Sequence, residues 1–347
     1  MADELSEHRT VLMVVDRRAR VHAEELLAGL QGGPGVALVE IDPGERDKRL
    51  SLVEDLLEYA VANGIGRGSA VLAMGGGLTG NIAGMVAALL YRGLPLIHLP
   101  TTPVAAFDSV LSAKQAVNLR QGKNLCGTFR TPALVACDLA WLTTVPVEQM
   151  AVGLAEMAKN VLAVVPDETE RLVAALEDGW RDPERTLRDL LDIGIGAKCG
   201  YLAIDPHEKR QALVFEYGHT VGHAIEFASQ ELVPHGEAIA WGMLVAAEIA
   251  ADAHELPDAD RKQHYRLFSA LKIDETKMAK VDLALVKKLL RTDNKRGYLR
   301  PGRDDLAMVL LRALGEPVTQ EGRPLVPVPL AEVETKIDAV LGHSGGQ

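Results

Sequence analysis

Two hydrophobic rhythms alternate along the first part of the chain. Short aliphatic runs at Thr10–Val15 (TVLMVV), Gly35–Ile41 (GVALVEI), Ala70–Met74, Leu94–Leu99 and Ala133–Cys137 read as strands. Between them, Val21–Gln31, Arg49–Ala62 and Asn81–Tyr91 repeat apolar residues at helical spacing. Strand and helix in alternation predict a parallel sheet covered on both faces. Past about residue 146 the rhythm changes. Gln149–Leu162, Thr169–Glu177, Glu184–Tyr201, Gly218–Ser229, Gly236–Ala253, Asp260–Leu271 and Leu283–Thr292 all read as helices, and strand signals nearly vanish. Pro100 and Pro146 punctuate the pattern. It predicts an α/β domain over residues 1–146 and a mostly α-helical domain over residues 147–347, with ligands expected in the crevice outside the carboxyl ends of the strands.

Charge narrows the possible partners. The 347 residues carry a formal net charge of -11, which excludes bulk attraction to nucleic acid or an anionic membrane. The three cysteines, Cys126, Cys137 and Cys199, form no CxxC pair and fit a reducing compartment. The uncharged stretch Gly68–Tyr91 is broken by Gly75, Gly76 and Gly77, so it reads as a buried strand–turn–helix rather than a membrane span. With the acidic, polar opening MADELSEHR, the expected location is the cytoplasm.

The glycine turn brings in the first chemistry. Ala70–Met74 runs into Gly75-Gly76-Gly77 and then a helix of small residues. Such a turn lets backbone N–H groups and a helix N-terminus approach a pyrophosphate, or it serves only as tight strand–helix packing. Glu45 and Lys48 follow the second strand, where dinucleotide folds place a ribose contact; singly they read as a solvated helix start. Thr101 and Thr102 offer hydroxyls to a cofactor or a helix cap. The first domain is thus expected to be Rossmann-like. Between Gly75 and Arg130 there is one acid, Asp108, against five basic residues. Of these, Arg120 and Arg130 read as a solvated face. Lys114 and Lys123 sit among small and polar residues and, with Asn124, fit a phosphate.

The second domain carries a metal-type pattern. His219 and His223 stand at i and i+4, one helix face, without the glutamate of an HExxH protease. His235-Gly236-Glu237 opens a later helix, and Glu156 is an acid in an otherwise apolar helical stretch. Two imidazoles and a carboxylate, with positions left open, make a catalytic zinc-type site that polarises hydroxyls and carbonyls.

These motifs together resemble the dehydroquinate synthase and sugar-phosphate cyclase family. GGGLTGN, PTT-x5-DS-x4-K-x8-KN, GLAEMAK, GHTVGHAIE and HGEAIAWGM stand in family order from about Asp16 to about Gly315. The resemblance implies a divalent ion, zinc or cobalt, on Glu156, His219 and His235. It implies NAD contacts at Asp16, Glu45, Lys48, Gly75, Gly76, Gly77, Thr101, Thr102 and Thr144, with Asn81 at a cofactor position where the family usually has Asp. It implies substrate-binding or catalytic roles for Asp108, Lys114, Lys123, Asn124, Lys159, Lys198, His223 and Lys295. Arg92 matches an arginine that reaches the neighbouring subunit's site, so a homodimer is implied.

The departures point to the substrate. The family usually has Asn where this chain has Glu216, and an Arg for a substrate carboxylate where this chain has Ala212. A methyl cannot bind a carboxylate and a nearby Glu repels one. Glu216 instead suits hydrogen bonds from sugar hydroxyls, or is a helix-start acid favoured by the dipole. The resemblance with these departures implies D-glucose 6-phosphate as substrate, elimination of its phosphate, closure of a carbocycle and recycling of NAD. The rivals are dehydroquinate synthase proper, a metal-dependent polyol dehydrogenase, and a non-enzymatic NAD or metal sensor.

Overall fold

The computed structural model describes every residue except 1–4, 6, 30–32, 43, 121, 179–181, 231, 254–255, 293–297, 300–301, 303 and 343–347. The chain forms two compact units, Met1–Val145 and Pro146–Gln347. The first runs β1 (Thr10–Asp16), α1 (Arg20–Gly29), β2 (Gly35–Ile41), α2 (Leu50–Ala62), β3 (Ala70–Gly75), α3 (Gly77–Leu89), β4 (Leu96–Pro100), α4 (Pro103–Phe107), β5 (Lys114–Leu119), β6 (Gly122–Phe129), β7 (Leu134–Val135) and α5 (Leu139–Leu142). Five of these strands make a parallel sheet in the order β2-β1-β3-β4-β7. Along β1 the side chains alternate between faces. Leu12 and Val14 pack with Val53 and Leu56 of α2 and Ile82 of α3, while Val11, Met13 and Val15 pack with Ala23 of α1. Both faces are covered, which is why TVLMVV is apolar throughout rather than alternating.

The sheet sets up the glycine turn. Gly75 ends β3 at φ 157°, and a Cβ there would lie 2.9 Å from both Asp16 and Thr79. Only glycine lets β3 turn into α3 this close to the end of β1. Thr101, just past β4, donates its backbone N–H to Gly75 O at 3.0 Å, so the ends of three strands are tied together.

The second unit runs α6 (Val147–Ala163), α7 (Thr169–Glu177), α8 (Pro183–Ile204), α9 (His219–Ala228), α10 (His235–Ala253), α11 (Asp258–Ala270) and α12 (Leu283–Leu289). Then come β8 (Asp305–Met308), β9 (Leu311–Ala313), β10 (Glu316–Pro317), β11 (Val326–Pro329) and α13 (Leu330–Leu341). α10 is buried through most of its length and packs against α6, α9, α11 and α13. That explains its run of apolar and small residues without a polar face.

Two parts differ from the sequence expectation. Lys114–Phe129 forms an antiparallel hairpin, β5 with β6, and residues 305–329 form two short ribbons, so strands do not vanish from the second unit. β6 is mostly exposed and shows no apolar face to read. In β11 the alternation is carried by valines facing in and prolines facing out, and proline argues against a strand except at a sheet edge. Among the described residues no helix is long and apolar enough to cross a membrane.

His98 of β4 is buried, its Nε2 has no hydrogen-bond partner, and burial pushes its pKa down to about 4. The unfolded chain takes up this proton near pH 6.5 and the folded protein only near pH 4. Stability should therefore fall on acidification through that window, by about 1.4 kcal/mol per pH unit from this residue, and be unaffected above it. Urea unfolding between pH 4 and 7 should show a shallower pH slope for His98→Gln; an unchanged slope would refute the assignment.

Candidate active site

Glu156 lies on α6 at 1 % exposure. Its Oε2 accepts from Lys159 Nζ one turn on, at 2.5 Å. Its Oε1 faces two imidazoles, with His235 Nε2 at 3.0 Å and His219 Nε2 at 3.5 Å. The ligand atoms of Glu156, His219 and His235 all lie within 4.8 Å of one another. Oε1 is nevertheless buried without a hydrogen bond of good geometry. Donor atoms around a tetrahedral ion with bonds near 2.1 Å stand about 3.4 Å apart, so this set fits a divalent cation better than it fits a hydrogen-bonded cluster. Three protein ligands leave coordination positions for substrate oxygens.

The same three groups set the charges of the ion-free site. Burial raises the Glu156 pKa, but Lys159, His219 and His235 outweigh it and hold the carboxyl well below the usual range. Burial lowers the His219 pKa, with Glu156 opposing it. For His235 burial opposes the charge, yet Glu226 and Glu156 on its two nitrogens push it up to about 10. His223 completes a cluster of three imidazoles, its ring centroid 5.0 Å from that of His219 and 5.8 Å from that of His235.

Local backbone and helix contacts place these groups. Gly218, at φ 75°, turns the chain into α9; a Cβ there would meet Met243 at 2.7 Å. A Cβ on Gly242 of α10 would lie 2.0 Å from Gly218 O, and one on Gly222 would lie 2.6 Å from Ile239. The absence of these methyls lets α9 and α10 come close enough for His219 and His235 to share Glu156. His219 is oriented by Tyr217: its Nδ1 donates to Tyr217 O at 3.0 Å. The Tyr217 hydroxyl donates to His264 Nε2 at 2.8 Å, whose Nδ1 donates to Asp260 O. Burial keeps His264 neutral, with a pKa near 4, which suits the acceptor role.

Two more cations belong to this unit. Lys159 and Lys198 are both buried, and their ammonium groups lie 5.9 and 5.0 Å from the centroid of the Phe215 ring. Glu216 follows Phe215 at the end of a 3-10 turn, with Ala212 fully buried in the same turn. Lys295 lies outside the described residues.

In the first unit the expected residues fall into two groups. Asp16, Gly75, Gly76, Gly77, Thr101 and Thr102 gather where the strands end; Thr79 Oγ1 lies 3.5 Å from Asp16 Oδ2, and Thr102 caps α4 through Ala105 N. A strand, a glycine turn in which Gly75 and Gly77 have no room for a Cβ, and the N-terminus of α3 fit a pyrophosphate. The second group joins residues that the sequence assigns to different ligands. Lys48 Nζ donates to Asn124 Oδ1 at 2.6 Å, Lys123 pairs with Glu45 at 3.3 Å, and Asn118 bonds Glu45 Oε1 at 2.7 Å. Asn118 escapes the sequence reading because its partner lies 73 residues away. Asn81 is bound on both ends of its amide, donating to Gly77 O and accepting from Ala116 N. Thr144 donates to Trp141 O and contacts His22 Nε2 at 3.3 Å. Asp108 borders α4 and Lys114 begins β5, both partly buried. Arg92 is exposed, in a turn where Tyr91, Arg92 and Gly93 all have positive φ.

Residues 38–152 match the family described as 3-dehydroquinate synthase N-terminal, and residues 153–296 match 3-dehydroquinate synthase C-terminal. The chain therefore belongs to the 3-dehydroquinate synthase family. Within it, the similarity runs to 2-deoxy-scyllo-inosose synthases: the one from Streptomyces paromomycinus is 44 % identical over 328 residues, 94 % of this chain and 85 % of the relative. A crystal structure of 2-deoxy-scyllo-inosose synthase with carbaglucose-6-phosphate, NAD+ and Co2+ matches with TM-score 0.85 and 38 % identity, over 96 % of this chain and 91 % of that one. ValA, a 2-epi-5-epi-valiolone synthase from Streptomyces hygroscopicus subsp. jinggangensis 5008 with NAD+ and Zn2+ bound, shares the fold at TM-score 0.83 and 24 % identity, over 99 % of this chain and 93 % of that one.

Gly242→Ala tests the helix contact. The new methyl should force α9 from α10, cost about 1–3 kcal/mol of stability, and weaken Co2+ binding. Thermal unfolding and Co2+ titration report both; wild-type Co2+ affinity would show that this contact does not set the site.

Proposed function

We propose that the protein is a phosphate-eliminating carbon–oxygen lyase that converts D-glucose 6-phosphate to 2-deoxy-scyllo-inosose and phosphate, the first carbocycle of 2-deoxystreptamine aminoglycosides. The observation that carries this reading is the turn before His219: Ala212 stands where the family usually has its carboxylate-binding arginine, and Glu216 where it usually has Asn. No guanidinium comes from that position to hold a keto acid. The similarity to 2-deoxy-scyllo-inosose synthases supports the same substrate.

When bound, NAD supplies reversible hydride exchange at C4 and a Co2+ or Zn2+ ion on Glu156, His219 and His235 polarises the vicinal oxygens. Oxidation at C4 acidifies the C5 proton, phosphate leaves C6 by β-elimination, C4 is reduced again, and the opened chain closes by aldol addition to C1. Glu216 binds a hydroxyl or takes the C5 proton. His223, beside both histidine ligands, and Lys159, on the ligand carboxylate, serve as proton relays. Lys159 and Lys198 supply buried positive charge for an anionic substrate; by the family resemblance Lys114 and Lys295 bind its phosphate and Asp108 accepts from sugar hydroxyls. The glycine turn cradles the cofactor pyrophosphate with Asp16, Thr101 and Thr102 around it, and Thr144 is a further cofactor contact. Lys123 and Asn124, tied to Glu45 and Lys48, fit the cofactor side better than the phosphate. Arg92, exposed on its strained turn, reaches the site of the partner subunit in a homodimer. The expected location is the cytoplasm.

Incubation with glucose 6-phosphate, NAD and Co2+ should give 2-deoxy-scyllo-inosose by NMR, one phosphate per product, and no accumulated NADH. Faster phosphate release from the seven-carbon keto-acid phosphate would defeat the carboxylate-free reading, and NADH rising with product would favour a polyol dehydrogenase. Glu156→Gln should lower kcat by about a thousandfold or more while NAD binding is retained.

A further inference from the structure

α9 turns more than its two histidines toward the cation site. His219, His223 and Glu226 stand at i, i+4 and i+7, one face of the helix. Glu226 is buried, and its Oε2 lies 3.0 Å from His235 Nδ1. The other nitrogen of the same ring is the one that faces Glu156. His235 is thus held by a carboxylate at each nitrogen. His219 has a neutral backbone oxygen behind it instead.

An imidazole offers one nitrogen to a cation when its proton sits on the other. A carboxylate at Nδ1 selects that tautomer, fixes the ring plane, and makes the ligating nitrogen a stronger donor than a carbonyl would. His235 has most need of this. Its side chain is 32 % exposed, against 11 % for His219 and 1 % for Glu156, so packing restrains it least. We propose that Glu226 is a positioning residue for the divalent cation, orienting His235 and adding the negative charge that sets the affinity of the site. The proposal rests on Glu156, His219 and His235 being the metal site.

Glu226→Gln keeps the shape and removes the charge. Co2+ affinity, measured by competition with a chromophoric chelator, should fall about 10- to 100-fold, and the visible absorption of the bound Co2+ should shift. Glu226→Asp keeps the charge and should recover part of the affinity. A purely structural role would lower the unfolding temperature of the ion-free protein yet leave Co2+ affinity and spectrum at wild-type values; that result, or an Asp variant no better than Gln, overturns the proposal. A wild-type protein that fails to bind Co2+ overturns the metal-site reading as well, whereas normal Co2+ binding by both wild type and E226Q overturns only the role of Glu226.

Discussion

The second unit is organised around a carboxylate that water cannot reach. An isolated charge in that position is costly by several kcal/mol, so Glu156 has to be compensated from within the protein. Lys159 compensates one oxygen from the same helix. The other oxygen draws on imidazoles from α9 and α10, which are joined to α6 only by the fold. Charge neutrality and tertiary structure are therefore the same problem here. A cation at this point takes the place of protons that the imidazoles otherwise share with the carboxylate.

Distance between helices converts that requirement into geometry. α9 and α10 approach through glycines, and Gly218 both breaks the preceding turn and brings the Tyr217 carbonyl onto His219. The chain from Asp260 through His264 and Tyr217 to His219 ties a ligand to a third helix. Each link has its hydrogen-bond donor and acceptor assigned, so the ring has one orientation that satisfies every partner. Rigidity of this kind is what a site must have if bound oxygens are to be held at fixed places.

Much of this is visible in the sequence because it violates core rules. An acid inside an apolar helix, two histidines one turn apart and a third at the next helix start have no packing reason to be there, so Glu156, His219, His223 and His235 stand out. The parallel sheet is readable for the opposite reason: its strands obey the rule for burial on both faces. The hairpin and the ribbons are not readable, because their strands are short, exposed or proline-bearing. Pairings across long separations are hidden too. Lys123 stands near Lys114 in sequence and suggests one phosphate site; that it also pairs with Glu45, far earlier in the chain, is invisible there. Glu226 sits in a recognisable motif, but its meaning depends on a ring from the next helix.

Asn81 shows what one such contact asks of a side chain. A side-chain amide has a donor at one end and an acceptor at the other, and this one uses both, on a carbonyl in its own helix and on an N–H of the hairpin. A carboxylate of the same size brings two acceptors and would set oxygen against oxygen at Gly77. The bond from the hairpin N–H would survive the change, so the whole conflict falls on the first turn of the helix. An amide here thus pins the start of the glycine-turn helix to the hairpin, whereas an acid would leave its second oxygen seeking a donor elsewhere.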